Sequence, residues 1–180
     1  MVKYVCVLFV LMAFAAPAFA QDYPQIEIML GYGNLGLKNY EPITGRHSGF
    51  ATYQSFNITK IFAIENYVGY YGLGDQIGTK TQLITDTFGG RFNYRTSGPV
   101  IYGSAGMGGG WLRFPDFGSG TQNGLAFRYG GGVDFPLGDT LAVKLDVSRQ
   151  SFHLPDFVTG QTVWKSGMNI ATGIVLRISQ

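Results

Sequence analysis

The sequence of 180 residues combines few charged residues with many glycines and aromatic side chains. Charged residues make up 13% of the chain, about half the ~25% that is usual in a soluble domain. The formal net charge of +2 gives no electrostatic basis for binding nucleic acid. This composition is typical either of a silk-like low-complexity chain or of a membrane β-barrel, and the periodicity of the sequence favours the barrel.

The first twenty residues have the pattern of a signal peptide. Lys3 supplies a positive charge, an apolar run extends from Tyr4 to Phe14, and Ala18-Phe19-Ala20 forms an Ala-x-Ala cleavage site. The apolar run is shorter than the ~20 residues that an anchor helix needs. We therefore expect residues 1–20 to be a removed signal peptide and residues 21–180 to form one barrel domain.

The cysteine content excludes several kinds of chemistry. Cys6 is the only cysteine in the chain, and it lies inside the predicted signal peptide. The exported protein would therefore have no thiol, disulfide or zinc–thiolate site. We predict no cofactor and no metal site.

Eight segments of the exported chain alternate apolar with small or polar residues, which is the period of a β-strand. A strand of roughly 9–11 residues crosses a bilayer when it is tilted by about 45°. The alternation is too weak in the second segment and too rich in glycine in the fifth to assign their faces. The predicted strands are 26–33, 49–58, 62–71, 83–94, 100–111, 125–135, 141–150 and 168–178.

The connections between these strands alternate in length. Long polar segments follow the odd-numbered strands, at 34–48, 72–82, 112–124 and 151–165. Short segments with turn residues follow the even-numbered strands, at 59–60, 95–99 and 136–140. The sequence therefore predicts an all-β fold: an eight-stranded antiparallel up-and-down transmembrane β-barrel with short periplasmic turns and long extracellular loops.

The alternation alone does not distinguish a membrane barrel from a soluble lipocalin-like barrel with its faces reversed. A soluble exterior needs many Lys and Glu residues, whereas the polar face here is mostly Gly, Ala, Ser and Asn. Small residues suit the narrow interior of an eight-stranded barrel, which side chains almost fill, so we do not expect a general porin. Aromatic residues near the strand ends indicate interfacial girdles: Tyr32, Phe50, Phe62, Tyr70, Tyr71, Tyr94, Trp111, Phe135 and Trp164.

Isolated charges fall on the inward face of the predicted barrel. A charge in a narrow interior must be paired or hydrated. We expect the glutamates to pair with Arg91 or a neighbouring cation, and the aspartates to pair with Arg128, Lys144 or Arg177. This pattern favours a structural network that fills the lumen, with a gated ion path as the alternative. The inward charges are Glu27, Glu65, Arg91, Arg128, Asp134, Lys144, Asp146 and Arg177.

Four stretches in this order resemble the small eight-stranded outer-membrane β-barrel family, which includes the membrane domain of outer membrane protein A. They are Glu27–Tyr32, Phe88–Arg95, Gly130–Asp134 and Thr172–Ile178. The resemblance implies an outer-membrane location in a Gram-negative envelope, and contact with outer-membrane lipid and lipopolysaccharide. It also implies insertion by the barrel-assembly machinery, which typically recognises a terminal strand that ends in an aromatic residue. We expect a monomer that does not bind nucleic acid.

Some members of this family are lipid-modifying enzymes, so the histidines need consideration. His47 lies beside Ser48, and His153 lies near Ser151 and Asp156. Neighbouring residues on one strand rarely give the geometry of a catalytic triad, so we predict no catalytic residues. The favoured function is a structural or surface-interaction protein. The alternatives are a narrow channel for ions or small solutes, then a lipid-modifying enzyme, then a soluble lipocalin-like ligand binder.

The third and fourth long connections both contain a Pro-Asp-Phe unit. These units are Phe114-Pro115-Asp116-Phe117 and Leu154-Pro155-Asp156-Phe157. The simpler interpretation is two Pro-Asp turns that fold over the barrel mouth. The alternative hypothesis is an exposed apolar patch, formed by Phe114, Phe117, Leu154 and Phe157, that binds a partner or lipopolysaccharide acyl chains.

Overall fold

The computed structural model describes residues 23–38, 40–41, 43–76, 79–114, 120–155 and 160–179. The predicted signal peptide lies outside these residues. No helix in the described part of the chain is long and apolar enough to cross a membrane. The strands are β1 (Ile26–Leu37), β2 (Gly45–Asn57), β3 (Phe62–Gln76), β4 (Thr79–Arg95), β5 (Val100–Phe114), β6 (Gly120–Pro136), β7 (Leu141–Pro155) and β8 (Thr162–Ile178).

The eight strands close into a barrel. Each strand pairs antiparallel with the next, and β8 pairs antiparallel with β1. We start at Ile26 on β1 and step from each residue to its direct partner on the next strand. One full circuit of the barrel then ends at Gly36 on β1, so the strands are staggered by ten residues. A stagger of this kind accompanies a strand tilt of roughly 35–45° from the barrel axis.

The barrel has an apolar exterior, as the sequence predicts. Leu30, Phe88, Phe92 and Ile174 lie on the outward face, and each is more than half exposed. Exposure on this scale suits contact with lipid, because hydrocarbon does not penalise apolar surface. The structure also settles the two unassigned strands: Phe50 and Phe56 of β2 face outward, whereas Val100, Tyr102 and Ser104 of β5 face inward.

One residue of the predicted aromatic girdles was placed on the wrong face. Tyr71 is fully buried in the interior. It has the same parity along β3 as Glu65 and Tyr67, and its hydroxyl donates a 2.8 Å hydrogen bond to Asn169 Oδ1 on β8. The polar end of this aromatic ring is therefore satisfied inside the barrel and not at the membrane surface.

The strands extend further at the outer rim than the sequence predicts. The periplasmic strand ends lie within about one residue of the prediction, but the outer connections shrink to 38–44, 77–78, 115–119 and 156–161. The strands are longer than predicted because their apolar residues change from the outward face to the inward face towards the outer rim. On β1 the apolar residues face outward at Ile28 and Leu30, but inward at Leu35 and Leu37. The hydrogen-bonded strand pairing continues beyond the membrane because the barrel interior there has an apolar core of its own.

We call this core the outer cluster. It occupies the barrel interior at the outer rim, and its buried members come from six strands and from the β1–β2 connection, which contributes Tyr40 and Ile43. The Tyr40 hydroxyl donates a 3.2 Å hydrogen bond to the Pro155 carbonyl oxygen across the mouth. The outer cluster consists of Leu35, Leu37, Tyr40, Ile43, Tyr71, Leu73, Leu83, Leu112, Ala126, Phe152 and Leu154.

Replacement of Gly173 by alanine should destabilise the β1–β8 seam. An added Cβ would clash with the Leu30 carbonyl oxygen and would lie 2.7 Å from the Gly31 Cα atom. We expect a loss of about 1–3 kcal/mol in unfolding free energy, because backbone atoms must move to relieve the overlap. The measurement is the temperature above which the folded protein no longer gives its own faster-migrating band in SDS gels. Gly98→Ala is the control, because an added Cβ there meets no atom within 4 Å; equal losses for both variants would contradict the prediction.

Candidate functional site

The charged residues predicted to face inward all lie in the barrel interior. Each of the eight is at most 9% exposed. The structure adds Arg95, which the sequence analysis assigned to a turn and which is the last residue of β4. We call this set the ionic layer: Glu27, Glu65, Arg91, Arg95, Arg128, Asp134, Lys144, Asp146 and Arg177.

Arg91 links three of the four carboxylates. Its Nη2 atom lies 2.5 Å from Asp134 Oδ2, and its Nη1 atom lies 3.4 Å from Glu65 Oε2 and 3.8 Å from Glu27 Oε2. The guanidinium carbon also lies 3.9 Å from the centre of the Tyr102 ring. A planar guanidinium suits this position, because it can serve several carboxylates and stack on an aromatic ring at the same time.

Arg128 forms the second centre of the network. Its two terminal nitrogens contact Glu65 Oε1 at 3.1 Å and Asp146 Oδ2 at 2.8 Å. Asp146 also accepts hydrogen bonds of 2.9 Å from the hydroxyl groups of Tyr53 and Tyr102. Glu65 therefore joins the two arginines, and the tyrosines hold the Asp146 carboxylate in place.

Two ion pairs differ from the expected pairing: the Arg91–Asp134 contact described above and the Arg177–Glu27 contact. Lys144 Nζ contacts Asp134 Oδ1 at 2.9 Å, within the expected set. Arg177, however, pairs with Glu27 at 3.5 Å, and Arg95 approaches the same carboxylate at 3.7 Å. Glu27 and Arg177 are directly paired across the β1–β8 seam, which brings Arg177 to this carboxylate.

A group of neutral polar side chains connects the ionic layer to the outer cluster: Arg128 lies over the Tyr67 ring, and Tyr71 is itself a member of the outer cluster. Tyr67 and Tyr71 are hydrogen-bonded to each other through their hydroxyl groups. Gln150 Nε2 donates to the Tyr67 hydroxyl at 2.8 Å, and Asn169 Oδ1 accepts from Tyr71. Sequence reasoning missed this group, although the inward parity of all four residues was a usable signal.

The predicted apolar surface patch is wrong at the two of its members that the structure describes. Leu154 is completely buried in the outer cluster, and Phe114 packs against that cluster. The reason is parity, because both residues take even, inward positions on extended strands. Phe117 and Phe157 lie outside the described residues.

The two histidines lie on opposite sides of the barrel wall. His47 faces inward, with Nε2 2.9 Å from the Ile43 carbonyl oxygen, whereas its neighbour Ser48 faces outward. His153 stacks on Trp164 with ring centres 4.7 Å apart. Asp156 lies outside the described residues. Across the described ranges, no group of three or more His, Cys, Asp or Glu residues could hold a metal ion.

A closed eight-stranded barrel with a lipid-compatible exterior and a charged interior defines a small outer-membrane barrel protein. A family model described as an outer membrane protein beta-barrel domain matches residues 6–173. The chain therefore belongs to this family and resides in the outer membrane. The match agrees with the fold that the resemblance implied.

Solved structures with the same fold are outer-membrane proteins of low sequence identity. Neisserial surface protein A is 10% identical with a TM-score of 0.63, and the match covers 88% of this chain and 100% of that one. Ail of Yersinia pestis is 19% identical with a TM-score of 0.58, covering 87% and 99%. OprG from Pseudomonas aeruginosa is 8% identical with a TM-score of 0.58, covering 89% and 99%. Comparison with curated proteins gives no match.

Replacement of Asp134 by alanine should destabilise the barrel strongly. The change leaves Lys144 without its carboxylate and removes one partner of Arg91. Breaking a buried ion pair in this way costs about 3–5 kcal/mol. The measurement is urea-induced unfolding in neutral micelles.

Two further variants test the cause of that loss. Asp134→Ala combined with Lys144→Met should recover part of the stability, because it removes the uncompensated lysine charge. Asp139→Ala, at an exposed position in the β6–β7 turn, should leave unfolding unchanged. A double variant no more stable than Asp134→Ala alone would show that the lost charge pairing is not the cause.

Proposed function

We propose that this protein is a closed, monomeric outer-membrane barrel with a structural or surface-interaction role. In this proposal the lumen does not conduct ions, and the barrel is a rigid support for its outer connections. The observation that carries the proposal is the succession of two buried layers in the interior, the ionic layer and then the outer cluster. A solute would have to displace both layers in order to cross.

The ionic layer supports closure because its members hold one another across the lumen. Arg91 on β4 contacts Asp134 on β6, and Arg128 on β6 contacts Glu65 on β3. These pairs join strands that are not neighbours in the barrel. Opening a path would separate charges in a region of low dielectric constant, which is energetically costly.

The outer cluster supports closure by a different physical mechanism. Leu35, Leu73, Leu112 and Phe152 meet in the interior, each at most 1% exposed. An apolar constriction of this kind excludes hydrated ions, because it provides no polar group to replace the lost water. The second layer would therefore keep the barrel closed even if the ionic layer were disturbed.

A surface role is supported by the form of the molecule. Each of the four outer connections has at least one flanking strand that contributes to the outer cluster, and the cluster ties these strand ends together at the rim. Ail, which has the same fold, is named as an attachment invasion locus protein. By analogy of fold alone, we propose that the outer connections of this chain are its contact surface. The barrel-assembly machinery remains the proposed partner during insertion, and nucleic acid is not a proposed partner.

A narrow channel is the second candidate, and one observation favours it. A depression of about 450 Å³ on the periplasmic side is lined in part by Lys60, Arg95 and Arg177. Such a vestibule could admit anions as far as Glu27, where the ionic layer begins. We place the channel second because the outer cluster lies beyond it.

We further propose that the protein is not an enzyme. The inward His47 and the outward Ser48 do not share a face, and His153 is stacked on Trp164. Neither arrangement supplies a nucleophile held by a base within hydrogen-bond reach.

Planar bilayer recordings test the closed lumen. We expect the wild-type protein to show no steady conductance, and we expect the same of the double variant Glu65→Ala with Arg91→Ala, since the outer cluster remains intact. SDS gel mobility before and after boiling would verify that both proteins are folded. Steady conductance in the wild type would establish the channel, and conductance only in the folded double variant would make the ionic layer a gate.

A further inference from the structure

A surface depression lies on the outward face of the barrel near the outer rim. We call it the outer groove; its volume is about 600 Å³. It crosses four neighbouring strands, because Arg46 on β2, Gly36 on β1, Met168 on β8 and Arg149 on β7 follow one another in direct register. It is lined by Gly36, Leu37, Lys38, Gly45, Arg46, Arg149, Ser166, Gly167 and Met168.

The outer groove is cationic. Its lining contains Lys38, Arg46 and Arg149 and no carboxylate, and all three cations are exposed. Both arginines are oriented by neutral partners: Arg46 Nη1 donates to Asn34 Oδ1 at 2.8 Å, and Arg149 Nη2 donates to Ser166 Oγ at 2.8 Å. A guanidinium has five N–H groups, so each arginine keeps donors for a ligand while its position is fixed.

The level of the groove determines which ligand it can meet. On β7 the outward residues are apolar up to Leu145 and Val147, and the next outward residue is Arg149. On β8 the outward residue after Ile170 and Met168 is Ser166, and the girdle residue Trp164 follows it. The groove therefore lies where the apolar band ends, which is the level of lipid headgroups in the outer leaflet.

The floor of the groove is open because of a glycine. A Cβ atom added at Gly36 would meet only the Met168 carbonyl oxygen at 3.6 Å and Arg46 Cγ at 3.8 Å. The floor of the groove at Gly36 is therefore uncrowded. Arginine is well suited to phosphate, because its planar donor fork matches two phosphate oxygens.

We propose that the outer groove binds the phosphate of a phosphorylated outer-leaflet lipid. In this proposal the remaining N–H groups of Arg46 and Arg149 donate to the phosphorylated headgroup from different strands of the groove. Lys38 adds positive charge, and the acyl chains follow the apolar face formed by Val147 and Ile170. The proposal depends on the outer-membrane location and not on whether the lumen conducts. A negative result for lipid binding would therefore leave the proposal of a closed lumen intact, and steady ion conductance would leave the lipid proposal intact.

Native mass spectrometry of the protein in neutral detergent micelles tests the proposal, with bisphosphorylated lipid A as the probe. We expect the wild type to retain one lipid, and we expect Arg46→Gln with Arg149→Gln to bind it about tenfold more weakly. The matched control is Lys80→Gln with Arg113→Gln, which removes two exposed charges at the outer end of the barrel but outside the groove. Its affinity should remain within about twofold of wild type, as exposed charges contribute little individually.

A second variant separates the shape of the groove from its charge. Gly36→Leu fills the floor and removes no charge, and it should also weaken lipid A binding. Gel mobility before and after boiling would show that each variant is folded. The proposal is overturned if either groove variant binds like wild type, or if the charge control weakens binding equally.

Three further probes identify the chemistry of the ligand. Dephosphorylated lipid A and phosphatidylcholine should not compete with bisphosphorylated lipid A, since the first lacks phosphate and the second carries no net charge. Inorganic phosphate should not compete either, because it lacks acyl chains. Effective competition by inorganic phosphate would make the groove a free-anion site. Competition by dephosphorylated lipid A would show that phosphate is not what is recognised, and competition by phosphatidylcholine would show that the groove does not select an anionic headgroup. Each of these results would refute the lipid proposal.

Discussion

The structure depends on the hydrogen-bonded closure of β8 onto β1. Hydrocarbon offers no partner for backbone N–H and C=O groups, so a sheet can cross the bilayer only if it has no free edge. The seam runs from Ile26 paired with Ile178 to Leu37 paired with Gly167. Close approach of the two strands at Gly31 and Gly173 makes glycine necessary there, because a Cβ atom would overlap the backbone of the neighbouring strand.

Closure with eight strands leaves an interior that is narrow and almost filled by side chains. The ionic layer follows from this constraint. Glu65, Asp134 and Asp146 have little water around them, so each must face a cation directly, and Arg91 and Arg128 each serve more than one carboxylate. The tyrosines around them supply hydrogen bonds and aromatic faces in place of water.

At the outer membrane surface, apolar residues change from the outside of the barrel to the inside, and charged residues change from the inside to the outside. Within the band that contacts lipid, the exposed apolar residues lie outside, and the ionic layer lies inside beside a small buried cluster that includes Met29, Tyr53 and Val175. Beyond it, Leu35, Leu73 and Leu154 turn inward to form the outer cluster, and Arg46 and Arg149 turn outward to form the outer groove. One continuous barrel thus has a membrane protein's polarity at one level and a soluble protein's polarity at the next.

The sequence by itself determined the strand count, the strand order and the inward parity of the charges, because a period of two fixes the face of every residue once a strand is recognised. It did not determine where the strands end at the outer rim: polar composition suggested loops at 34–48, whereas inward Leu35 and Leu37 extend β1. Only the tertiary structure decided that Arg177 meets Glu27 and that Arg46 and Arg149 line one groove. These relations depend on the register between strands and on closure of the barrel, and a pattern read along one strand carries no information about either.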